Sequence, residues 1–300
     1  MLMNIEEYYQ KFYQKNLANN NAIDFIGINV LVDTRQQYLF KTYQHIGTII
    51  EQFDPFLTLL KSKNMIKNYI PIITSDKNRV QYDVRLDNRN NDNMSEVLAC
   101  LFDYLPLKDK FLDLALSEIY YLTKMNITEI PQYDMSALYF LGLQWNKGIL
   151  SALKLHFITR KVNNPNHFSD GFWYDNDYFL AYFKASKNKL CKKISIIVEN
   201  FLNQLEGQLW MFGIDILMDS DIKYKIYLQN KNGFNLEKIF RILNYYSEFD
   251  KVCVQLYKLN EWLVNHPELL LYGFAITVTT QEIYGLNLYF IPPFCLRGTT

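Results

Sequence analysis

The stretch GIDILMDSDIKYKIYLQ, residues 213–229, contains an apolar run, a short polar turn and a second run in which polar and apolar residues alternate. Successive side chains of a β-strand point to opposite faces, so the second run has a basic, polar face and an apolar face. The polar face carries Lys223, Lys225, Tyr227 and Gln229, and the apolar face carries Ile222, Tyr224, Ile226 and Leu228. The pattern predicts a β-hairpin.

The same hairpin pattern occurs five times along the chain. The segments are residues 25–43, 69–87, 137–160, 211–229 and 270–291. Between most of them, apolar residues recur at three-and-four spacing, which predicts helices at 98–105, 190–205, 236–243 and 252–263. Because no Gly-, Ser- or Pro-rich linker divides the repeats, we predict a single domain spanning residues 1–300.

Three other second strands also have one polar face. These faces carry Arg79, Gln81, Asp83 and Arg85; Lys154, His156 and Arg160; and Asn287 and Tyr289. An open sheet with one solvated face explains the alternation. So does a closed antiparallel barrel of about ten strands, with helices outside and a polar lumen inside. We predict the α+β barrel, in which the basic side chains converge as a strong anion such as a diphosphate requires.

Composition limits the possible partners. Lys plus Arg and Asp plus Glu both number 31, giving a formal net charge of +0, so no overall positive field attracts nucleic acid or an anionic membrane. The longest apolar run, residues 269–278, is too short to span a bilayer. The first fifteen residues lack the apolar stretch of a signal peptide. We therefore predict a cytoplasmic protein with neither nucleic acid nor membrane as a partner.

The sequence offers no familiar metal or nucleotide motif. The four cysteines are separated by 91, 62 and 42 residues, and the four histidines show no paired spacing. The DDxxD, GxGxxG, GxxxxGK[ST] and GxSxG patterns are absent from the sequence. We predict that no metal is held by the protein alone.

Three stretches carry a resemblance to a known family. The alternation of hairpins with helices, with basic and tyrosine residues on inner strands, resembles the ABBA-barrel prenyltransferases. Residues 213–229 resemble that family's Gly-aliphatic-Asp strand, turn and Lys-x-Lys-x-Tyr strand. SALKLHFI, residues 151–158, resembles the Leu-Lys-Met-His strand of the cyanobactin peptide prenyltransferases, and GLNLYF, residues 285–290, resembles that group's final strand.

The resemblance implies transfer of an isoprenyl group, usually dimethylallyl, from its diphosphate to an electron-rich acceptor. Basic and polar residues of the barrel would bind the diphosphate: Arg79, Arg85, Lys154, His156, Lys223, Lys225 and Tyr227. Tyr227 and Tyr289 would shield the allylic cation, because an aromatic face attracts positive charge. Mg²⁺ would bind through the diphosphate, so the ion would need no dedicated set of protein ligands.

This chain departs from the family pattern at three places. Asn287 replaces the basic residue of the final strand, and Ile158 replaces an arginine that often follows the Lys-x-His pair. The peptide enzymes carry a catalytic Glu on their first barrel strand, whereas FIGINVLVD, residues 25–33, has none. The candidate bases are Asp83 and Asp215, with Asp24 and Asp33 flanking the first strand, and the sequence does not choose among them.

The expected activity is prenylation of a nucleophilic side chain of a peptide. A peptide is favoured by the resemblance and by the expectation that the nine residues after position 291 cannot close the barrel mouth. Two alternatives stay open. One is prenylation of a small phenol or indole, and the other is a non-catalytic interaction protein whose basic strands face water. The acceptor, the prenyl chain length, the regiochemistry and the oligomeric state are not set by these patterns.

Overall fold

The structure, a computed structural model, describes eleven stretches of the chain. They are residues 23–31, 38–44, 58–59, 62–64, 66–74, 79–86, 137–147, 149–158, 189–218, 222–279 and 283–291. The helix predicted at 98–105 and the flanking residue Asp33 lie outside them. The extent of the single domain predicted for residues 1–300 stays a prediction.

All five predicted hairpins are confirmed. The ten strands are β1 (Ile23–Leu31), β2 (Tyr38–Gln44), β3 (Ile66–Thr74), β4 (Arg79–Leu86), β5 (Ala137–Asn146), β6 (Ile149–Ile158), β7 (Gln208–Leu217), β8 (Ile222–Gln229), β9 (Leu270–Val278) and β10 (Ile283–Ile291). β-branched and aromatic residues are frequent in these runs, and such side chains favour the pleated, half-buried surface of a sheet.

The strands follow one another around a closed antiparallel barrel. Each strand pairs with the next along the chain, and β10 returns to pair with β1. The pairing of β2 with β3 is short, with three register pairs that begin at Lys41 and Thr74. An antiparallel sheet with helices, consistent with an ABBA barrel, agrees with the α+β prediction.

Three of the predicted helices are confirmed within the described ranges. They are α1 (Lys189–Gln204), α2 (Leu236–Leu243) and α3 (Asp250–Val264). Asn235 begins α2, because its side-chain oxygen accepts a hydrogen bond from the backbone N–H of Lys238 at 3.1 Å, as expected of an N-cap residue. Measured against the thickness of a bilayer, each helix that the structure describes is too short or too polar to cross one.

The helices cover the apolar face of the sheet. Phe274 on β9 is fully buried, and its ring lies 5.1 Å from the rings of both Phe201 on α1 and Phe234. Edge-to-face contacts of this kind add to the free energy gained by burying the rings. Since the outward faces of the strands pack against helices, the opposite, polar faces point into the barrel.

Phe274 tests this outer core. Phe274→Ala should lower the free energy of unfolding by about 3–5 kcal/mol, because a buried phenylalanine is lost and a cavity remains. Chemical denaturation followed by circular dichroism measures the change. Tyr245→Ala is the matched control, since Tyr245 is 84% exposed. Equal stabilities of the two variants would contradict the packing described here.

Candidate active site

Register pairing gathers the predicted site residues into two neighbouring rows on the inner surface of the barrel. The first row runs through Asp83, Gly142, Lys154, Asp215 and Lys223, each the register partner of the next. The second row runs through His156, Gly213, Lys225, Thr277 and Gly285. Residues far apart in the sequence therefore meet in one lumen.

Two glycines leave room for the polar side chains of these rows. A Cβ atom on Gly142 would come within 2.5 Å of Asp83 Oδ1 and 3.0 Å of Lys154 Cβ. A Cβ atom on Gly213 would come within 3.1 Å of both His156 Cδ2 and Tyr227 Cε2. All four distances are below ordinary van der Waals contact. The polar side chains therefore lie directly over the bare backbone of β5 and β7.

An ion pair lies at the centre of the rows. Lys225 Nζ donates a hydrogen bond to Asp215 Oδ2, and the two residues are only 8% and 4% exposed. Lys154, the register partner of Asp215, is also buried. Removing charges from water costs several kcal/mol for each ion, so these opposite charges stabilise one another within the lumen.

Opposing influences set the protonation of Asp215. Burial raises the pKa of the carboxyl, but Lys225 lowers it, followed by Lys154 and His156, and the net pKa is about 2. Asp215 is therefore ionised at neutral pH. Its Oδ2 atom accepts the hydrogen bond from Lys225, whereas its Oδ1 atom is buried without a hydrogen-bond partner among the described residues.

His156 is neutral and hydrogen-bonded to Tyr227. The distance from His156 Nε2 to the Tyr227 hydroxyl oxygen is 2.9 Å, and both residues are buried. Burial is the main cause that lowers the pKa of His156 to about 4; Asp83 opposes it, and Lys225 adds to it. His156 thus offers a hydrogen bond at neutral pH but no positive charge. Its Nδ1 atom is buried with no hydrogen-bond partner in the described part of the chain.

Aromatic rings surround Tyr227. The ring centroid of Tyr289 lies 5.9 Å from that of Tyr227, and the Trp210 centroid lies 6.2 Å from Tyr227 and 6.4 Å from Tyr289. Phe140 extends this cluster, with its ring 6.3 Å from the imidazole of His156. The four rings of Tyr227, Tyr289, Trp210 and Phe140 form what we call the aromatic cluster, which adjoins the second row through the hydrogen bond between His156 and Tyr227.

Trp210 and Phe140 are not among the site residues predicted from the sequence. The register of β7 against β8 shifts between Leu209 and Met211, and Trp210 packs with Met211 against the inner cluster while Leu209 joins the outer core. Such a bulge breaks strict alternation, so the sequence pattern could not reveal Trp210. Alternation along β5, in contrast, places Phe140 on the same face as Gly142 and would have identified it.

The remaining predicted residues are placed less fully. Arg79 and Arg85 are register partners of Asn146 and Phe140, which puts them on the same face of β4 as Asp83, and their side chains lie outside the described part. Lys223 is half-buried at the end of the first row. Asn287 is buried, and its side-chain amide donates to Thr277 Oγ1 at 3.4 Å.

Asp24 and Asp33, the candidate bases that flank the first strand, gain no support from the structure. Asp24 lies where the register of β1 against β2 shifts between Ile23 and Phe25, and its side chain is outside the described part. The side chain of Ile158 also lies outside the described part. Among the side chains that the structure describes, no three or more of His, Cys, Asp and Glu are grouped as a metal site.

Solved structures share this fold, although no protein-family model and no curated protein matches the sequence. AnaPT from Neosartorya fischeri is 12% identical with a TM-score of 0.54, covering 95% of this chain and 86% of its own. The 6-dimethylallyltryptophan synthase from Micromonospora olivasterospora, in complex with DMASPP and Trp, is 10% identical with a TM-score of 0.52, covering 89% and 81%.

At such low identity these likenesses show the fold alone. They agree with the barrel of strands and helices predicted from the sequence, whereas membership of the ABBA-barrel superfamily stays a prediction. The narrower kinship with the cyanobactin peptide enzymes stays a prediction.

The depressed pKa of His156 makes the stability of the barrel depend on pH. Between pH 6.5, the ordinary histidine value, and about 4, the unfolded chain binds a proton that the folded chain excludes. The free energy of unfolding should therefore decrease as the pH falls through this window, by about 3 kcal/mol in all.

His156→Gln should remove that part of the slope, as measured by urea denaturation at several pH values. The contribution of Asp215 is distinct, since its pKa is lowered from 3.8 to about 2 and its stabilisation is lost only below pH 3.8. An identical slope in His156→Gln and the unchanged protein between pH 6.5 and 4 would contradict a neutral, buried His156.

Proposed function

We propose that this protein is a prenyltransferase that binds a prenyl diphosphate in the barrel lumen and transfers the prenyl group to a nucleophilic acceptor. The observation that carries the proposal is that buried amines and a largely buried aromatic cluster lie in one lumen. Lys154 and Lys225 are 3% and 8% exposed, and Tyr227 is 4% exposed. The solved synthase that contains DMASPP supports a prenyl donor.

The charged rows suit the diphosphate. Lys154 and Lys225 present ammonium groups, and Lys223 extends the row beyond Asp215. The Lys225 ammonium group has three N–H donors, so a diphosphate can accept a hydrogen bond from it while Asp215 accepts another. Charge-assisted hydrogen bonds are about twice as strong as neutral ones, and a lumen of low dielectric strengthens them further. We also assign Arg79 and Arg85 to diphosphate binding because they share the face of Asp83, one on each side of it along β4.

The aromatic cluster suits the prenyl group. As the bond from carbon C1 to the diphosphate oxygen breaks, its electron pair leaves with the diphosphate and positive charge develops on the allyl group. An aromatic ring contributes about 2 kcal/mol to a cation when water is excluded. Tyr227 contacts both His156 and Tyr289, so we propose that C1 lies beside Tyr227, where the charged rows meet the aromatic cluster.

We propose that the acceptor is a peptide. The resemblance of residues 151–158 to a peptide-prenylating strand favours a nucleophilic side chain of a peptide. A second candidate is a small indole or phenol, which the Trp bound in the solved 6-dimethylallyltryptophan synthase favours. A non-catalytic role for solvated basic strands is disfavoured, because Lys225 is buried and paired rather than facing bulk water.

Magnesium enters as part of the substrate. We propose that the donor binds as its Mg²⁺ salt, in which the ion bridges diphosphate oxygens and keeps several waters, as Mg²⁺ usually does. Removal of Mg²⁺ with EDTA should then slow transfer at limiting donor, and the rate should recover when Mg²⁺ is restored.

A direct assay separates these alternatives. The protein is incubated with dimethylallyl or geranyl diphosphate and with cyclic peptides, free tryptophan or simple phenols, and the products are analysed by mass spectrometry. A peptide that gains one prenyl mass faster than any small aromatic supports the peptide proposal. Faster prenylation of tryptophan or a phenol supports the second candidate, and no prenylated product with any acceptor contradicts the proposed function.

Lys225 tests the donor end. Lys225→Met should weaken binding of the donor by about ten- to a hundredfold, since one charge-assisted hydrogen bond is worth about 1.5–3 kcal/mol. Isothermal calorimetry with a non-cleavable donor analogue measures the affinity. Because the substitution leaves Asp215 buried and unpaired, the double variant Lys225→Met/Asp215→Asn is measured beside it.

The matched control for Lys225 is an exposed lysine. Lys251→Met on α3 removes the same charge from the outer surface and should bind the analogue as the unchanged protein does. Equal affinity in Lys225→Met and Lys251→Met would contradict the role assigned to Lys225.

A further inference from the structure

We propose that Asp83 is the group that takes the proton from the acceptor, and that Asp215 is a positioning residue for Lys225. This inference rests on the proposed function and concerns the same lumen. Both carboxylates belong to the first row, yet their surroundings differ in ways that assign them different tasks.

The surroundings of Asp215 suit a counterion rather than a base. Its Oδ2 atom accepts the hydrogen bond of Lys225, and its register partners on both sides are lysines, Lys154 and Lys223. A carboxylate stabilised by several ammonium groups binds a proton weakly. Asp215 instead fixes the position of the Lys225 ammonium group, which the proposed function places against the diphosphate.

The surroundings of Asp83 are different. Its Oδ1 atom is buried and has no hydrogen-bond partner among the described residues, which is costly unless a ligand completes the site. The side chain as a whole is half-buried, so it remains partly accessible. Gly142 is the register partner of Asp83, and the missing Cβ of Gly142 is what lets Oδ1 lie against β5.

The position of Asp83 connects it to the reacting centre. Gly142 and Phe140 lie two residues apart on the same face of β5, a separation of about 7 Å along a strand. Phe140 belongs to the aromatic cluster and contacts His156. Asp83 also influences the protonation of His156. The carboxylate of Asp83 therefore lies near the aromatic cluster, and it influences the pKa of His156 more than the carboxylate of Asp215 does.

The proton balance of the reaction requires such a group. A nucleophilic atom of the acceptor donates an electron pair to C1 of the prenyl group, and the bond from C1 to oxygen breaks with its pair leaving on the diphosphate. The acceptor is then left with one proton too many, on carbon, nitrogen or oxygen. Asp83 receives this proton and becomes a carboxylic acid, which restores the neutral or aromatic acceptor without any further reactant.

The test compares Asp83→Asn with Asp215→Asn. General-base catalysis contributes about 10²–10⁴-fold, so Asp83→Asn should lower kcat for transfer by about a hundredfold or more. Affinity for inorganic diphosphate, measured by calorimetry, should stay close to that of the unchanged protein. Hydrolysis of the donor in the absence of acceptor should also continue, because ionisation of the donor does not involve Asp83. Asp215→Asn should instead weaken diphosphate binding, because Lys225 loses the partner that orients it.

Rescue experiments separate chemistry from folding. Thermal unfolding reports whether each variant is folded, and Asp83→Glu, which keeps a carboxylate, should retain more turnover than Asp83→Asn. Added formate should restore transfer to Asp83→Ala and should not restore it to Asp215→Ala. Formate rescue supports the inference even if Asp83→Asn is destabilised, whereas a rescue that is equal in both alanine variants overturns it.

Two results distinguish the failure of this inference from failure of the proposed function. If the unchanged protein transfers a prenyl group and Asp83→Asn does so at a similar kcat, or if Asp83→Asn loses mainly diphosphate affinity, the role of Asp83 is wrong and the function stands. If the unchanged protein prenylates no acceptor, the proposed function itself is wrong.

Discussion

The buried ion pair between Lys225 and Asp215 is the interaction on which the rest of the lumen depends. Removing one partner of such a pair costs about 3–5 kcal/mol, because the other charge is left uncompensated. Inside the barrel, Lys225 and Asp215 form an ion pair, and Lys154 is the register partner of Asp215. The same arrangement keeps ammonium groups available inside the barrel, where a diphosphate can accept further hydrogen bonds from them.

The sequence predicts the faces of the strands well, because alternation is a local property. Each of the five hairpins lies where the sequence pattern predicts it, and Lys154, Lys225, Tyr227 and Tyr289 are all buried on inner faces. The outer face could be identified for the same reason, since the apolar residues of β8 and β9 needed a covering layer. The helices α1, α2 and α3 supply it.

Other features of the site depend on contacts that no local pattern contains. Trp210 lies in the inner cluster because of a register shift, and a bulge is a property of two strands together. Burial lowers the pKa of His156 to about 4, so a residue that looks basic in the sequence is neutral in the barrel. The difference between Asp83 and Asp215 likewise depends on the pairing of Lys225 with Asp215, which forms only when the barrel closes.

The central claim is that the charged rows and the aromatic cluster together form a prenyl diphosphate site. A crystal structure of the protein with a non-cleavable thio analogue of dimethylallyl diphosphate tests this most directly. We predict the diphosphate within hydrogen-bonding distance of the Lys154 and Lys225 ammonium groups, and the prenyl chain between Tyr227 and Tyr289. Analogue bound only outside the barrel, or a diphosphate beyond hydrogen-bonding distance of Lys225 at saturating analogue, would contradict the claim.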